Sequence, residues 1–392
     1  MGKRRCTGLP APPFHPQAAK NMPGELEDDS PDDLARLAGF PVRACGGRTD
    51  RVRPVGTGLH RCRSLVRARR RTRTRRLRSA AVDRNAGFGA RLACVLRRHS
   101  ETTFLPGMNK IVPDGGVRGS RSTLDLRFRR SGPLTVLQHR HAGDLRTLAS
   151  HHPEAAGVCH QVIVHPPGGY LGGDSLTLRV DVAEAAHALV TTPGASRIYR
   201  SLGEVTAQTV DAIISSGARL EWLPLETIAY CGCLAENRVR FRLAPGAELI
   251  AWDMLALGLP AARRPFLAGR YTQHLEVPGI WLERGDIDAS DDVLLRGPGG
   301  LAGRTALATL LFARGSPLAP HQRDVLLEAA RIRFGAHPGV AAAATSTHAQ
   351  VIVVRALADR IEPVCALLRS VWAAWREAAW SLSACPPRVW ET

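Results

Sequence analysis

No stretch of this 392-residue chain approaches the ~18 consecutive apolar residues that a membrane span needs. The N-terminus carries charge but lacks an apolar h-region, which argues against a signal peptide. The nine cysteines lack a paired framework. Cys6, Cys45, Cys62 and Cys94 lie early, and Cys159, Cys231, Cys233, Cys365 and Cys385 follow. An odd, scattered set fits a reducing cytoplasm rather than a disulfide scaffold. No internal repeat is evident. The glycine-rich stretch lacks the Lys-Ser/Thr ending of a P-loop, no serine sits in a Gly-x-Ser-x-Gly elbow, and no second Cys-x-x-Cys completes a zinc site.

What is present in excess is positive charge, a net +18. Its distribution decides what it means. Residues 1–107 hold 23 of the 53 Lys+Arg and 9 of the 35 Asp+Glu, a net of +14, which leaves +4 for 108–392. The basic character therefore belongs to the N-terminal part, where Arg67–Arg78 is nearly all Arg, Thr, Ala and Leu. Such a run suggests an RNA- or membrane-binding arm. It has no interleaved aromatics on which bases could stack. Low hydrophobicity with high charge cannot bury a core. Residues 1–107 are accordingly expected to be a disordered Arg-rich extension, consistent with a start site set too early, with Met108 opening a globular domain over 108–392.

From about Arg118 short runs alternate apolar and polar residues, as half-buried strands do. They are Ser122–Phe128, Leu134–His139, Cys159–His165, Ser175–Val182, Ala186–Thr192 and Glu204–Ile214. Ala218–Leu223, Arg238–Leu243, Glu248–Leu257, Tyr271–Val277 and Ile280–Ile287 continue them. Turn pairs such as Ser216-Gly217, Pro245-Gly246 and Pro278-Gly279 separate them. This spacing predicts a mainly β fold, a many-stranded β-sandwich or barrel-like body. About two C-terminal helices are expected, over His321–Phe334 and Asp359–Ala378, with a buried strand at Ala349–Arg355 between them. In the second helix Ile361, Val364, Leu367, Leu368, Val371, Trp372 and Trp375 share one face. Packing onto the sheet is the more common use of such a face, a partner-binding stripe the other.

Three segments could carry chemistry. The loop His165-Pro-Pro-Gly-Gly-Tyr-Leu-Gly-Gly-Asp174 leads into a strand, not a helix, and its Asp174 would repel phosphate. It reads either as a structural turn or as a site built on His165 and Asp174. The stretch Thr191–Ser201 leaves a strand through Pro193-Gly194 and presents Ser196, Tyr199 and Arg200, residues suited to a partner-binding loop. Glu221, Asp253 and Glu283 are carboxylates within apolar strands, where an unpaired charge costs several kcal/mol, as an order-of-magnitude estimate. They are either ion-paired with Arg197, Arg200 or Arg284, or they line a polar interior passage. Cys231-Gly-Cys233 suits two half-buried thiols better than a metal site.

Six segments, in order and spacing, resemble the UreD (UreH) family of urease accessory proteins. They are CHQVIVHPPGGYLGGDSL (159–176), ALVTTPGASRIYRS (188–201), LEWLPLETIAY (220–230), LAPGAELIAWDMLALGLPA (243–261), WLERG (281–285) and PPRVWET (386–392). The resemblance departs near His139–Asp144 and at Cys231-Gly-Cys233, and it does not cover 1–107. It implies a β-rich, non-enzymatic scaffold that acts with UreF and the GTPase UreG and passes nickel through an internal tunnel to apo-urease. No cofactor is then tightly bound, nickel is in transit, and neither nucleic acid nor membrane is a partner. Asp174, Asp253, Glu283 and Glu221 are the expected carboxylates of that route. Dispersed carboxylates release Ni²⁺ more readily than a closed Cys/His cage would. An enzyme using the glycine-rich loop and an RNA binder using the Arg-rich arm are the alternatives. The missing Lys-Ser/Thr weighs against the first, and the near-neutral body against the second.

Overall fold

The computed structural model describes residues 119–391 apart from 155–156. The expected extension over 1–107 and the boundary at Met108 lie outside the described residues.

The fold is mainly β. The chain starts with β1 (Arg121–Ser131), β2 (Leu134–Ala142), the short β3 (Arg146–Thr147), β4 (Cys159–Val164), β5 (Ser175–Val182) and β6 (His187–Thr191). Then come β7 (Ser196–Ile198), β8 (Thr206–Ile214), β9 (Arg219–Leu223), β10 (Thr227–Ala229), β11 (Cys233–Leu243) and β12 (Glu248–Leu257). Next are β13 (Gly269–Val277), β14 (Trp281–Asp288), a short helix α1 (Asp292–Arg296) and β15 (Ala306–Arg314). Helix α2 (Pro320–Phe334), β16 (Ala341–His348), β17 (Val351–Ala358) and helix α3 (Ile361–Trp380) complete the order.

The first sheet runs β14-β13-β11-β8-β5-β1-β2 and the second β16-β17-β15-β12-β9-β6-β4-β3. From β4 to β13 the chain crosses repeatedly between them. Strands β1, β5, β8, β11 and β13 pair in parallel in the first sheet. Strands β4, β6, β9 and β12 do so in the second. Short β7 and β10, with the end of β12, line a third side. The body is therefore a solenoid rather than the expected sandwich or barrel. Antiparallel β2 and β14 flank the first sheet, and β15, β17 and β16 extend the second. Alternation identifies a strand but not its partner. Turn residues that look like hairpin signals here make corners between sheets.

The corners also expose a repeat. Ala183–Ala186, Ser215–Ala218 and Ala244–Ala247 each close with a hydrogen bond from the last N–H to the first carbonyl, at 3.1, 3.1 and 3.0 Å. The third residue is left-handed each time, Ala185, Gly217 and Gly246, with φ of 57°, 66° and 78°. Glycine adopts this conformation without a Cβ penalty. The last residue is a buried alanine. One small residue and one left-handed residue per coil are too little to register as a sequence repeat.

Two cores result. One fills the interior between the sheets, and the other lies between the second sheet and helices α2 and α3. Trp372 and Trp375 are buried in the second core, so the α3 stripe packs onto the sheet. Strand β15 escaped sequence reading because it is apolar on both faces. Leu311 and Ala313 enter the interior while Leu310 and Phe312 meet the helices, so no alternation shows.

Candidate functional site

Parallel register stacks equivalent positions of successive coils into rows. On the inner face of the first sheet, Leu178, Val210, Val239 and Leu275 form one apolar row, and Val180, Ala212, Phe241 and Val277 another. The neighbouring row differs. Beginning beside Leu176, it holds Gln208, Asn237 and Gln273. Gln208 Nε2 donates to Asn237 Oδ1 at 3.0 Å, and Asn237 Nδ2 donates to Gln273 Oε1 at 3.2 Å. The facing sheet supplies a matching polar row, Asp253, Thr309 and Arg355, aligned across β12, β15 and β17. The two rows join where Asn237 Nδ2 donates to Asp253 Oδ2 at 2.9 Å. Glu283 then accepts from Thr309 Oγ1 at 2.9 Å and pairs with Arg355 at 3.0 Å.

Cavities flank this file. One of about 270 Å³ is lined by His165, Gly169, Tyr170, Ser196, Gln208 and Trp222, among others. Another of about 370 Å³ is lined by Asp253, Gln273, Glu283, Arg284, Thr309 and Arg355, among others. A small cavity of about 10 Å³ is lined by Tyr170, Gln208, Asn237 and Tyr271, among others. Gln208 lines both the first cavity and this small one, and Asn237, which lines the small one, donates to Asp253. Burial pushes the Asp253 carboxyl up to about 6, and the charge of Glu283 adds to this, while hydrogen bonds from Gln273 and Asn237 oppose it. Burial also drives the Tyr271 hydroxyl well above its ordinary value, so it stays neutral. Desolvation lowers the His165 imidazole against the pull of Asp144 and Asp174. Its ring lies 4.8 Å from that of Tyr170.

The four expected carboxylates do not share one passage. Asp253 and Glu283 face the same cavity. Asp174 accepts from the backbone N–H groups of Ser120 and Leu171, both at 2.8 Å, and so closes the glycine-rich loop against the start of β1. Glu221 points to the opposite face of the second sheet, as its neighbours Leu220 and Trp222 fill the interior. There it is fully buried, 2.7 Å from His187 Nε2, 2.6 Å from Trp372 Nε1 and 3.2 Å from Arg376 Nη1. The expected partners Arg197, Arg200 and Arg284 are thus replaced by Arg376 for Glu221 and Arg355 for Glu283. Both lie at least 70 residues further along the chain, where strand context gives no signal. The amides Gln208, Asn237 and Gln273 also escaped notice. Each is a single polar residue on an inward-facing position, visible only once the register is known.

The expected partner-binding segment lies at the rim of the first cavity. Ser196 lines it. Tyr199 meets Tyr230 edge-on at 5.1 Å and lies over Gly169, where a Cβ would come within 2.3 Å of its ring. Arg200 is exposed, and its aliphatic stem covers Gly232. Leu202, almost wholly exposed at 97%, and Leu171 add apolar surface nearby. Cys233 is buried and its thiol is pushed up to about 11 by burial, while Cys231 is half-buried. Both are free thiols, and neither joins a cluster of three metal-ligating side chains among the described residues. No helix among the described residues is long and apolar enough to cross a membrane.

Comparison with known proteins bears on this geometry. The family described as UreD urease accessory protein matches residues 120–391. The urease accessory protein UreD of Paracidovorax citrulli is 54% identical over 268 residues, which cover 68% of this chain and 97% of that protein. The UreD proteins of a Polaromonas species and of Variovorax paradoxus are 53% and 51% identical, each over 69% of this chain and 98% of their own length.

Proposed function

This chain belongs to the UreD urease accessory protein family, and from that premise we propose that it is a non-enzymatic scaffold that delivers nickel into apo-urease. It works in the cytoplasm in a complex with UreF and the GTPase UreG. The observation that carries this reading is the polar file from Gln208 through Asn237 and Asp253 to Glu283, set in an otherwise apolar interior. A buried amide or carboxylate is costly unless it is paired. A file of them that can exchange partners is suited to an ion passing through. Its donors are oxygens and amides, which hold a borderline cation weakly enough to release it. Among the described residues Asp253 has no basic partner of its own, so its charge stays available to a cation. Ser196, Tyr199 and Arg200, with Leu202 beside them, offer a partner the rim of the first cavity.

Cells lacking this chain are expected to make urease with little nickel, and restoring the chain should restore the metal. The purified chain should hydrolyse neither GTP nor urea. Turnover that survives rigorous removal of UreG and urease would overturn the scaffold reading.

A chain beginning at Met108 should activate urease as well as the full chain does, because the match to known relatives begins beyond the Arg-rich part. Loss of activation on that truncation would assign the N-terminal part a role.

A further inference from the structure

We propose that Glu154, His160 and Cys385 form a binding site for one borderline divalent cation, of the zinc, cobalt or nickel kind, that clasps the C-terminal tail onto the second sheet. The site is separate from the polar file and does not rest on the nickel-route reading. His160 is held on β4, pointing to the helix-covered face of the second sheet, and it is buried. Its Nε2 lies 2.6 Å from Glu154 Oε1. Cys385 follows α3 in the irregular segment before the final turn, and one ligand atom from each of the three residues lies within 4.8 Å of the others. Ligands around a tetrahedral ion at about 2.0–2.3 Å sit about 3.5 Å apart. Binding therefore requires the thiolate to move in by at most about an ångström and the Glu154–His160 contact to open around the ion. Cys385 is half-buried and lies outside regular structure, so it can make that movement and provides the way in.

The surroundings favour a cation. Arg376 binds the other oxygen of Glu154 and also Glu221, which orients the Glu154 carboxylate as outer partners of metal ligands do. Glu154 and Glu221 bring two carboxylates to this buried group, against the single guanidinium of Arg376 that contacts both. On binding, the Cys385 S–H bond breaks, its proton leaves to solvent, and a sulfur–metal bond forms. One sulfur, one nitrogen and one oxygen donor select a borderline ion over magnesium or calcium, which favour oxygen alone. Three protein ligands leave a fourth position for water.

Cobalt(II) titrated into the full chain should give one equivalent of binding with a thiolate-to-cobalt charge-transfer absorption. Cys385→Ser should abolish that absorption, and His160→Gln should weaken binding at least about tenfold. The Cys231→Ser/Cys233→Ser double variant should keep both. A charge-transfer band that persists in Cys385→Ser overturns the proposal. A second measurement on the unmodified chain covers the case in which a variant does not fold. Zinc should protect Cys385 from alkylation, as read by peptide mass, and equal labelling with and without zinc would sink the site. None of these readouts involves urease, so their failure would leave the nickel-delivery reading where it stands.

Discussion

Exchanging Arg376 for Met should lower the melting temperature by about 6–20 °C. Arg376 is fully buried on α3, where it reaches both oxygens of Glu221 at 3.2 and 3.4 Å and also contacts Glu154. Its guanidinium carbon also lies 5.3 Å from the centre of the Trp372 ring. Removing it strands a fully buried carboxylate with, among the described residues, only His187 and Trp372 beside it. Breaking such a pair costs about 3–5 kcal/mol. A domain of this size loses about 2–4 °C per kcal/mol. Arg376→Lys should fall between, because an ammonium cannot span two carboxylates as a planar fork does. Adding Glu221→Gln to Arg376→Met should recover part of the loss, since the fully buried Glu221 charge is then removed and only Glu154, which keeps His160, has lost its arginine. A melting temperature within about 2 °C of the parent would show that this network does not hold α3 to the sheet. Because Glu221 lies outside the interior, these variants should lose nickel delivery only in step with folding.

Asp253→Asn should do the reverse, with higher stability and poorer delivery. The Asp253 carboxyl is pushed up to about 6 from an ordinary 3.8. Between those values the folded chain holds a proton that the unfolded chain has released. Stability therefore falls as pH rises through this window, and the deficit persists above pH 6. Asparagine has no charge to desolvate, so the variant should gain up to roughly 3 kcal/mol at neutral pH and nothing near pH 4. Thermal melts at the two pH values read this directly. On the route reading, the same stabilised variant still binds its partners but gives urease with about tenfold less nickel. Glu283→Gln should also reduce nickel, but with a small loss of stability, because it releases Arg355 from its 3.0 Å contact. Normal nickel content in both variants would place the passage elsewhere. A gain in stability alone would make Asp253 an ordinary buried acid.

The contrast between Glu221 and Asp253 shows how far strand context reaches. Both are carboxylates among apolar residues, and the cost of burying a charge flags them equally. The flag does not say which face of the sheet each occupies, nor what comes opposite. Glu221 meets an arginine 155 residues away, and Asp253 meets an amide 16 residues back. Asp174 shows the same limit from the other side. Its loop looks like a site because of its glycines, yet the carboxylate itself is taken up by two backbone N–H groups.

Local pattern was enough for most strands, for both long helices and for the inward face of α3, because period-2 and period-3.6 alternation are set by nearest neighbours and water. The uneven charge and the ordered family segments were likewise visible in the chain alone. The solenoid winding, the row of Gln208, Asn237 and Gln273, the Arg376 network and the Glu154–His160–Cys385 cluster were decided only by the tertiary structure. Each depends on register between strands or on contacts far apart in sequence, and a one-residue slip would turn the inward row of Gln208, Asn237 and Gln273 to the other face.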